Sequence, residues 1–482
     1  MSTVLAGVEP QEIWKNFEAL AAIPRASTKE AAAREHILKL AKSLGLKSLV
    51  DEAGNVVVTK PAYPGRESAP VTALQGHIDM VCEKNEGTNF NFDTDGIKLV
   101  RKEDWLYADG TTLGSDNGVG VAAALAVMES KTIKHGPMEF VFTVEEETTL
   151  GGASAFKGGV LKAHYLINLD NEEKGTLCIG CAGGLNTRAR RKVAFTAAKG
   201  NAACRVKISG LKGGHSGVDI HLGRGNAVRI LGGVLQLLLA QAGVELADLK
   251  GGSAHNAIPR EASAVIVADA SKAEQIKSIV AQYEKDIRTD LGAFDPDLQI
   301  TVEKAELPKQ VLTADDAKKV TDLIASLHHG VLAMSPDVPG LVQDSTNVAT
   351  VGVKDGVVEI VTSQRSAIEG SKDIAKRLVA TVCQLAGFET EHGSSYPGWQ
   401  PQPNSDIVRL SKEVFEKMFG NTPNLIAMHA GLETGVLGVN YPAMQMISFG
   451  PQIEHPHSPA ERVQISSVAE FWKYLVAVLE KL

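Results

Sequence analysis

The sequence predicts an α/β protein whose first domain is interrupted by an inserted α+β region. Strand-like apolar runs alternate with amphipathic helices through the first third of the chain, the pattern changes near residue 186, and the first pattern returns from about residue 393. The length of 482 residues also exceeds that of one ordinary core. We therefore predict one domain built from residues 1–186 and 393–482, with a second domain inserted at 187–392.

The first third of the chain has the pattern of two helices followed by a series of buried strands. The second helix is expected to begin at a capping box formed by Ser27 and Glu30 and to end at Gly45. The predicted helices are 11–23, 28–44 and 118–128, and the predicted strands are 55–59, 71–75, 139–144 and 165–169. This alternation indicates a mainly parallel or mixed sheet covered by helices.

The middle of the chain alternates strands and helices in a different rhythm. The predicted strands are 203–209, 264–268, 298–302, 347–353 and 357–363, and the predicted helices are 225–242, 271–291, 314–329 and 371–387. This rhythm indicates an α+β sandwich, although no repeat is visible residue by residue. The C-terminal segment adds helices 405–419 and 466–482 and strands 425–428 and 444–449, which we expect to complete the first domain.

Composition limits the classes of partner. The net charge of −8 argues against a nucleic acid or an anionic membrane as the partner. No stretch approaches the roughly 18 apolar residues of a membrane span, and the N-terminus lacks the basic and apolar regions of a signal peptide. The five scattered cysteines do not suggest a disulfide framework. We therefore expect a cytoplasmic protein.

Acidic residues and histidines follow the predicted strands of the first domain. His77 and Asp79 are two residues apart, so in an extended segment both side chains leave the same face. The other candidates, in chain order, are Asp116, the triplet Glu145–Glu147, Asp170 and His457. Ligands of open α/β sheets bind beyond the carboxyl ends of the strands. These side chains are therefore expected to meet at one sheet edge.

So many carboxylates can gather at one edge only around cations. Imidazole and carboxylate ligands suit zinc, with manganese or cobalt as substitutes. Two neighbouring ions need a bridging carboxylate, and adjacent glutamates could divide metal binding and proton transfer between them. Taken singly, Asp116 or Asp170 would more often be a turn or helix cap, and the glutamate triplet a solvated edge. The whole set, in this order at strand ends, favours a two-metal hydrolase.

Several strings along nearly the whole chain make this interpretation more specific. They are Gln75-Gly-His-Ile-Asp-Met80, Gly110-Thr-Thr-Leu-Gly-Ser-Asp-Asn-Gly118, Cys181-Ala-Gly-Gly184, Leu211-Lys-Gly-Gly-His-Ser-Gly217, Arg224-Gly-Asn-Ala227, Asn256-Ala-Ile-Pro-Arg-Glu261, Tyr396-Pro-Gly-Trp-Gln-Pro401, His429-Ala-Gly-Leu-Glu433 and His457-Ser-Pro459. Together they resemble the di-zinc aminoacylase and carboxypeptidase superfamily, and most closely its bacterial dipeptidases. The resemblance implies a zinc-peptidase-like catalytic domain with a mixed sheet and an inserted lid domain.

The resemblance also implies two Zn²⁺ ions per subunit, with Co²⁺ or Mn²⁺ as possible substitutes. His77 and Asp170 would hold one ion and Glu147 and His457 the other, with Asp116 as the bridge. Glu146 maps to the general base, and Asp79 would orient the His77 ring. Because three glutamates are consecutive, the roles assigned to Glu146 and Glu147 could be shifted by one residue.

Other matched positions point to the substrate. His215 would donate to the scissile carbonyl oxygen, while Asn256 and Arg365 would bind the peptide end, Arg365 through a bidentate carboxylate contact. Gly431 would offer a backbone contact. Glu433 is a candidate for pairing with a free α-amine, which would favour dipeptides.

The expected function is metal-dependent hydrolysis of dipeptides, including carnosine-like Xaa-His substrates. An activated water would attack the amide carbonyl, with Glu146 as the general base. One alternative is an N-acyl amino acid deacylase or carboxypeptidase of the same superfamily, and another is a metal-binding scaffold without catalysis. The resemblance also implies a homodimer through the lid, and it leaves open whether the site is completed within one chain or by a partner.

Overall fold

The computed structural model describes residues 4–482, which divide into two compact units. The first unit contains the described residues up to Cys181, together with Trp399–Ala427 and Leu432–Leu482. The second unit consists of Ala182–Gly398 and the short segment Met428–Gly431. The sequence pattern predicts that residues 393–482 belong to the first domain, whereas Met428–Gly431 belongs to the second unit.

The N-terminal part of the first unit contains five helices and eight strands within the described residues. The helices are α1 Gln11–Ala21, α2 Ala31–Ser43, α3 Ser115–Glu129, α4 Glu146–Thr149 and α5 Gly151–Ala155. The strands are β1 Lys47–Val50, β2 Val56–Lys60, β3 Thr72–His77, β4 Leu99–Lys102, β5 Trp105–Ala108, β6 Met138–Thr143, β7 Tyr165–Asn168 and β8 Thr176–Cys181.

The second unit follows with long strands and four α-helices. Its strands are β9 Gly183–Lys192, β10 Phe195–Ala197, β11 Ala202–Ser209, β12 Gly214–His215, β13 Glu245–Gly251, β14 Ala257–Ile258, β15 Ala262–Ala268, β16 Gln299–Lys304, β17 Gln310–Leu312, β18 Gly330–Met334, β19 Val342–Lys354, β20 Val357–Ser366 and β21 Glu389–Tyr396. Its α-helices are α6 Ala227–Leu237, α7 Ala273–Leu291, α8 Ala314–Ser326 and α9 Glu369–Leu385. A π-helical turn at Leu238–Ala242 extends α6, and a 3₁₀ turn at Ala270–Lys272 leads into α7.

The C-terminal part of the chain adds the remaining elements. They are α10 Asp406–Phe419, β22 Asn424–Met428, α11 Glu433–Asn440, β23 Gln445–Ser448, β24 Ile453–Glu454, β25 Arg462–Gln464 and α12 Ile465–Leu479. Strands β24 and β25 join β5 and β4 in a small antiparallel sheet.

The first unit is organised around an eight-stranded sheet in the order β1-β2-β6-β3-β7-β23-β8-β22. Its central strands β6, β3, β7 and β23 run parallel to one another, whereas β2 and β8 pair antiparallel to their neighbours. The predicted α/β class with a mixed sheet is therefore confirmed. Because the four central strands are parallel, their carboxyl ends lie at the same edge of the sheet.

Helix α3 packs closely against this sheet because its residues are small. It is buried along nearly its whole length and contacts α1 and β3. A Cβ at Gly120 would overlap the carbonyl oxygen of Leu169, which is the residue directly after β7. The small side chains therefore bring the N-terminal end of the helix to the edge where the parallel strands end.

The second unit is built on a nine-stranded sheet whose main path is β16-β11-β15-β13-β19-β20-β9-β21, with β18 pairing to β19. All of its pairings are antiparallel. Helices α6 and α8 pack on each other, and α9 packs on β9 and β20. The apolar faces of these helices and of the sheet form one continuous core.

The predicted capping box at the start of α2 is wrong. The helix begins at Ala31, and the Ser27 hydroxyl donates to Asp79 Oδ2 at 2.8 Å. Glu30 Oε1 accepts the backbone N–H groups of Thr28 and Glu145 instead of closing a box. The two residues that predicted a helix start therefore contact Asp79 and Glu145, which lie beside the candidate site.

Two strands at the junctions of the units are not predicted by the sequence pattern. In β9 the buried and exposed residues alternate, and Arg188 and Arg190 lie on the exposed side. In β21 nearly every side chain is exposed, and an edge strand without an apolar face gives no period-2 signal. Among residues 4–482, no helix is long and apolar enough to cross a membrane. All five cysteines lie in this range, and none of them forms a disulfide bond.

Candidate metal centre and substrate-binding residues

The parallel strands of the first unit deliver the predicted ligands to one edge. Strand β3 ends at His77, and its pairing places His77 beside Thr143, the last residue of β6. Glu146 and Glu147 follow β6 in the short helix α4, and Asp170 follows β7 by two residues. The clustering is therefore a consequence of sheet topology.

The two nitrogens of the buried His77 ring have different partners. Nε2 lies 3.0 Å from Asp116 Oδ1 and 3.4 Å from Asp170 Oδ1. Nδ1 lies 3.2 Å from the Asp79 carbonyl oxygen and 3.4 Å from Asp79 Oδ1. Nε2 is therefore the nitrogen available for a metal, while Asp79 holds the other side of the ring.

Asp116 presents its two carboxylate oxygens to two different imidazoles. Its Oδ1 faces His77, and its Oδ2 lies 3.1 Å from His457 Nε2. The same His457 nitrogen lies 2.9 Å from Glu147 Oε2. An aspartate between two imidazoles is the arrangement that a bridging ligand requires.

Among residues 4–482, three groups of side chains have potential ligand atoms within 4.8 Å of one another. They are His77 with Asp116 and Asp170, His77 with Glu146 and Glu147, and Asp116 with Glu147 and His457. Imidazole nitrogens and carboxylate oxygens are ligands that suit zinc. Glu147 Oε1 is buried and has no hydrogen-bond partner within the described chain. The donor set therefore fits divalent ions.

The electrostatics of the cluster show that it carries excess negative charge. Burial raises the pKa of Asp170 to about 7, against the lowering effect of His77. Hydrogen bonds with Asp116 and Glu147 raise the pKa of His457 to about 11. Burial opposes ionisation of Asp116, but its hydrogen bonds with the two histidines lower its pKa. Protons and imidazolium ions here supply positive charge that metal ions can replace.

The turn after β6 separates the three consecutive glutamates. Glu145 has a left-handed backbone with φ of 54°, and no potential ligand group among residues 4–482 includes it. The backbone N–H groups of Glu146 and Glu147 donate to Asp79 Oδ1 and Oδ2 at 3.1 and 3.2 Å. Burial, opposed by the charge of His77, raises the pKa of Glu146 well above its usual value. The geometry thus groups Glu146 and Glu147 with the other candidate ligands.

Asp79 connects several parts of the cluster. Besides His77 and the two glutamate N–H groups, it accepts the hydroxyl of Ser27. Burial disfavours the charge of Asp79, yet the hydrogen bonds of His77 and Ser27 lower its pKa to about 2. The carboxylate is therefore an acceptor for all of these donors at neutral pH.

Glu433 lies in a buried polar layer at the ends of β3 and β6. Its Oε2 accepts from Gln75 Nε2 at 2.6 Å and from Thr143 Oγ1 at 2.7 Å. Its Oε1 has no hydrogen-bond partner within the described residues, and the side chain is 2% exposed. Burial raises the pKa of Glu433 to about 7. One carboxylate oxygen of Glu433 therefore accepts no hydrogen bond from the part of the chain that the structure describes.

In the second unit, His215 and Asn256 come together through the short strand pair of β12 and β14. The N–H of Ser216 donates to the Asn256 carbonyl at 2.8 Å. His215 Nδ1 accepts the backbone N–H groups of Gly217 and Val218 at 3.2 and 3.0 Å. An Nδ1 that accepts two hydrogen bonds requires the proton of the neutral ring to be on Nε2. His215 is therefore a hydrogen-bond donor through Nε2.

Arg365 lies near this turn, at the end of β20. It is buried, donates from Nη1 to the hydroxyl of Tyr396 at 2.7 Å, and has an Nε without a partner in the described chain. Burial and the charge of Arg365 lower the pKa of His215 to about 4. A Cβ at Gly431 would overlap the ring of Tyr396. The structure thus brings His215, Asn256, Arg365 and Gly431 into one part of the second unit.

Two residues of this region were not predicted as site residues, although they belong to the quoted strings. Tyr396 begins the Tyr-Pro-Gly-Trp string and holds Arg365. His429 begins the His-Ala-Gly-Leu-Glu string, and its Nε2 lies 2.7 Å from Ser345 Oγ. The motifs themselves were the signal that could have identified both side chains.

Three residues of the first unit were also missed. Glu172 hydrogen-bonds to Asp116, and burial together with the charges of Asp116 and Asp170 raises the pKa of Glu172 to about 9. Its position two residues after Asp170 was the available signal. Arg25 and Glu461 are buried charged residues that contact the segments carrying the ligands. Nothing in their local sequence marks them.

Comparison with known proteins gives a consistent result. Residues 73–481 match Peptidase family M20/M25/M40. The cytosol non-specific dipeptidase of Escherichia coli (strain K12) is 38% identical over 479 residues, which cover 99% of this chain and 99% of that protein. The predicted resemblance to this kind of dipeptidase is confirmed.

Solved structures agree with the sequence relatives. The crystal structure of aminoacylhistidine dipeptidase from Vibrio alginolyticus matches with a TM-score of 0.94 and 37% identity, covering 100% of this chain and 98% of that chain. Aminopeptidase PepT from Bacillus cereus matches with a TM-score of 0.62 and 18% identity, covering 98% and 99%, and shares the fold. This chain belongs to the peptidase family M20/M25/M40.

Proposed function

We propose that this peptidase is a metal-dependent dipeptidase. The observation that carries the proposal is Asp116, whose two oxygens face the Nε2 atoms of His77 and His457. Full-length relatives are named cytosol non-specific dipeptidase and aminoacylhistidine dipeptidase, which supports dipeptides as the substrate class.

The proposed cofactor is a pair of zinc ions, for which cobalt or manganese could substitute. His77 and Asp170 would hold one ion, Glu147 and His457 the other, and Asp116 both. When bound, such ions polarise a carbonyl group and lower the pKa of water to about 7. Glu147 Oε1 has no hydrogen-bond partner among residues 4–482, and the pKa of Asp170 is raised; both observations support a cluster suited to cations.

Glu146 is proposed as the general base. Its carboxylate has an atom within 4.8 Å of ligand atoms of His77 and Glu147, and Asp79 fixes its backbone N–H. The raised pKa of Glu146 brings its proton affinity nearer to that of the water it must deprotonate. Glu146 would take the proton from water and return it to the leaving amine.

Four residues of the second unit are proposed to bind the substrate. His215, with its proton on Nε2, would donate to the carbonyl oxygen that gains charge during attack. Arg365 would bind the C-terminal carboxylate, since its guanidinium is buried and its Nε lacks a partner within the described residues. Asn256 and Gly431 are proposed to contact the same peptide end.

Glu433 is proposed to pair with the free α-amine of the substrate. Its Oε1 has no donor among residues 4–482, while its other oxygen is fixed by two hydrogen bonds. Recognition of both charged ends would restrict the enzyme to dipeptides. The expected range is broad and includes Xaa-His substrates such as carnosine.

The roles of the inserted segment 187–392 as a lid and as a dimerisation domain are also proposals, as is a cytoplasmic location. A homodimer predicts twice the chain mass of 51.1 kDa in light scattering after gel filtration. A monomer at micromolar concentration would contradict this part of the proposal.

A substrate panel tests the function. The purified full-length protein is assayed with free, N-acetylated and C-amidated dipeptides and with tripeptides. The proposal predicts turnover of free dipeptides, Xaa-His included, and weak activity on the other compounds. Preference for the N-acetylated forms would indicate a deacylase or carboxypeptidase, and metal binding without turnover would indicate a catalytically inactive scaffold.

A further inference from the structure

Two buried residues of opposite charge, Arg25 and Glu461, contact the loop that carries Asp116. Each is 2% exposed, and neither was predicted to have a role. Burial of an ionised side chain is costly unless hydrogen bonds compensate for the lost water. The hydrogen bonds of each residue therefore identify the backbone segments that its charged group stabilises.

Glu461 accepts a set of N–H groups at the start of α3. Its Oε2 accepts from Leu113 and Gly114 at 2.8 and 3.0 Å, and its Oε1 accepts from Ser115 and Asp116 at 2.7 and 3.3 Å. The Ser115 hydroxyl adds a fifth hydrogen bond at 2.6 Å. The backbone of Asp116 is not helical, with φ of −78° and ψ of 115°, so these N–H groups belong to an irregular turn. Buried N–H groups outside a regular element need acceptors, and the carboxylate of Glu461 supplies them.

Glu461 also belongs to the segment that carries His457. The N–H of Glu461 donates to the carbonyl of Ser458 at 3.0 Å, which closes a turn directly after His457. The carboxylate of Glu461 thus connects the backbone of Asp116 to the turn that follows His457. Asp116 and His457 are themselves in contact, since Asp116 Oδ2 lies 3.1 Å from His457 Nε2.

Arg25 connects the loop before Asp116 to the segment that follows His77. Its Nη1 donates to the carbonyl oxygens of Ile78 and Asp79 at 3.2 and 2.9 Å, and its Nη2 donates to the carbonyl of Gly114. The guanidinium thereby joins the end of the His77 strand to the loop before Asp116.

The glycines of the Gly114-Ser-Asp-Asn-Gly118 string have a direct explanation in this arrangement. Gly114 has φ of 69°, and a Cβ at either glycine would come within 3 Å of Arg25 Nη2. Side chains at these positions would displace the guanidinium. The two glycines therefore provide the space that Arg25 occupies.

We propose that Arg25 and Glu461 are positioning residues that fix the separation of His77, Asp116 and His457, and so set the affinity and coordination geometry of the metal pair. The inference rests on the proposed metal site. Neither side chain is among the potential ligand groups of residues 4–482, so each acts through the backbone it holds. Groups that orient ligands are expected to change metal affinity by about 10- to 100-fold when removed.

The test measures metal binding by the full-length protein without substrate. Wild type, Glu461→Gln and Arg25→Lys are stripped with a chelator and titrated with Co²⁺, following the visible absorption of the bound ion and competition with a chromophoric chelator. Glu454→Gln is the matched control, because Glu454 lies in the same C-terminal segment but pairs with Arg462. Circular dichroism of the metal-free proteins monitors folding.

The proposal predicts that Glu461→Gln and Arg25→Lys bind Co²⁺ at least about tenfold more weakly, with an altered absorption band, while the control matches wild type. Lysine keeps the charge of Arg25 but cannot reach three carbonyls with a planar fork. If Glu461→Gln does not fold, Arg25→Lys and Ser115→Ala decide, the latter removing one hydrogen bond of Glu461.

Folded variants with wild-type Co²⁺ affinity and spectrum would overturn the proposal. A wild-type protein that binds no Co²⁺ would overturn the metal site as well. A wild-type protein that binds Co²⁺ normally but cleaves no dipeptide would contradict only the proposed function, since the positioning role is measured by metal binding alone.

Discussion

Asp79 lies behind His77, on the side of the imidazole opposite the candidate metals. Asp79 Oδ1 is 3.4 Å from His77 Nδ1, while His77 Nε2 is 3.0 Å from Asp116 Oδ1. The same carboxylate accepts the N–H groups of Glu146 and Glu147. One side chain thus orients a candidate ligand and the turn that carries the proposed base.

Substitution Asp79→Asn should therefore weaken metal binding as well as turnover. The asparagine amide has only one oxygen, so it cannot accept hydrogen bonds from the His77 ring and from the N–H groups of both glutamates. We therefore expect zinc affinity to fall by about 10- to 100-fold. The measurement is chelator competition on the purified variant. Asp95→Asn, which changes an exposed loop carboxylate, is the control, and equal zinc affinity in both variants would refute the role of Asp79.

Substitution Glu146→Gln should greatly reduce turnover while leaving bound metal near the wild-type amount. Removing a general base typically lowers the rate by about 10²- to 10⁴-fold. The matched control is Glu145→Gln, since Glu145 belongs to no potential ligand group among residues 4–482. Measurement of kcat together with metal content checks this prediction. Loss of activity in the Glu145 variant and retention in the Glu146 variant would shift the assignment by one residue.

His215 should remain neutral, with its proton on Nε2, throughout the pH range of ordinary assays. Its pKa is lowered to about 4, so no inflection of kcat/KM between pH 5 and 8 should come from this residue. Nitrogen NMR of labelled histidine should show the Nε2–H form. Substitution His215→Ala should lower kcat by about 10²- to 10³-fold. A ring that titrates near 6.5 would contradict the prediction.

The lowered pKa of His215 also has a consequence for stability. Between about pH 6.5 and 4 the unfolded chain binds this proton and the folded chain does not, so folding stability decreases as the pH falls through that range. The His215→Gln variant should lose less stability than wild type between pH 7 and 5. Denaturant unfolding at the two pH values measures the difference, and identical pH dependence would contradict the expected titration.

Substitution Arg365→Lys should reduce kcat/KM for dipeptides with a free carboxylate by about 10- to 100-fold, because lysine cannot make a bidentate contact. C-amidated dipeptides, which lack that charge, should be affected less. Arg190→Lys, an exposed arginine of the same sheet that pairs with Glu359 and Glu391, serves as the control. Equal losses on both kinds of substrate would argue against carboxylate binding by Arg365.

The sequence was most informative where apolar runs end in polar residues. His77 is the last residue of a buried parallel strand, Glu146 and Asp170 each follow one, and parallel strands place their carboxyl ends together. The α/β class and the meeting of these side chains could therefore be inferred from periodicity. The choice between Glu145 and Glu146 could not, because it depends on a left-handed residue at the turn.

The parts that could not be predicted depend on contacts between distant segments. Glu461 accepts N–H groups of a loop that lies more than three hundred residues earlier in the chain, and Arg25 donates to the same loop. Ser27 carries a helix-start signal but donates to Asp79. Local patterns describe neighbours in sequence, whereas these roles are set by tertiary packing.

The most direct test of the proposed metal dependence is a metal titration of the chelator-stripped protein during hydrolysis of a free dipeptide. The metal-free protein is expected to be inactive, and activity should return with Zn²⁺ or Co²⁺ and saturate near two ions per chain. Substitution Asp116→Asn should prevent this recovery, since the two oxygens of Asp116 face His77 and His457 and are proposed to bridge both ions. Full activity in the verified metal-free protein, or complete recovery in the Asp116→Asn variant, would contradict the proposal.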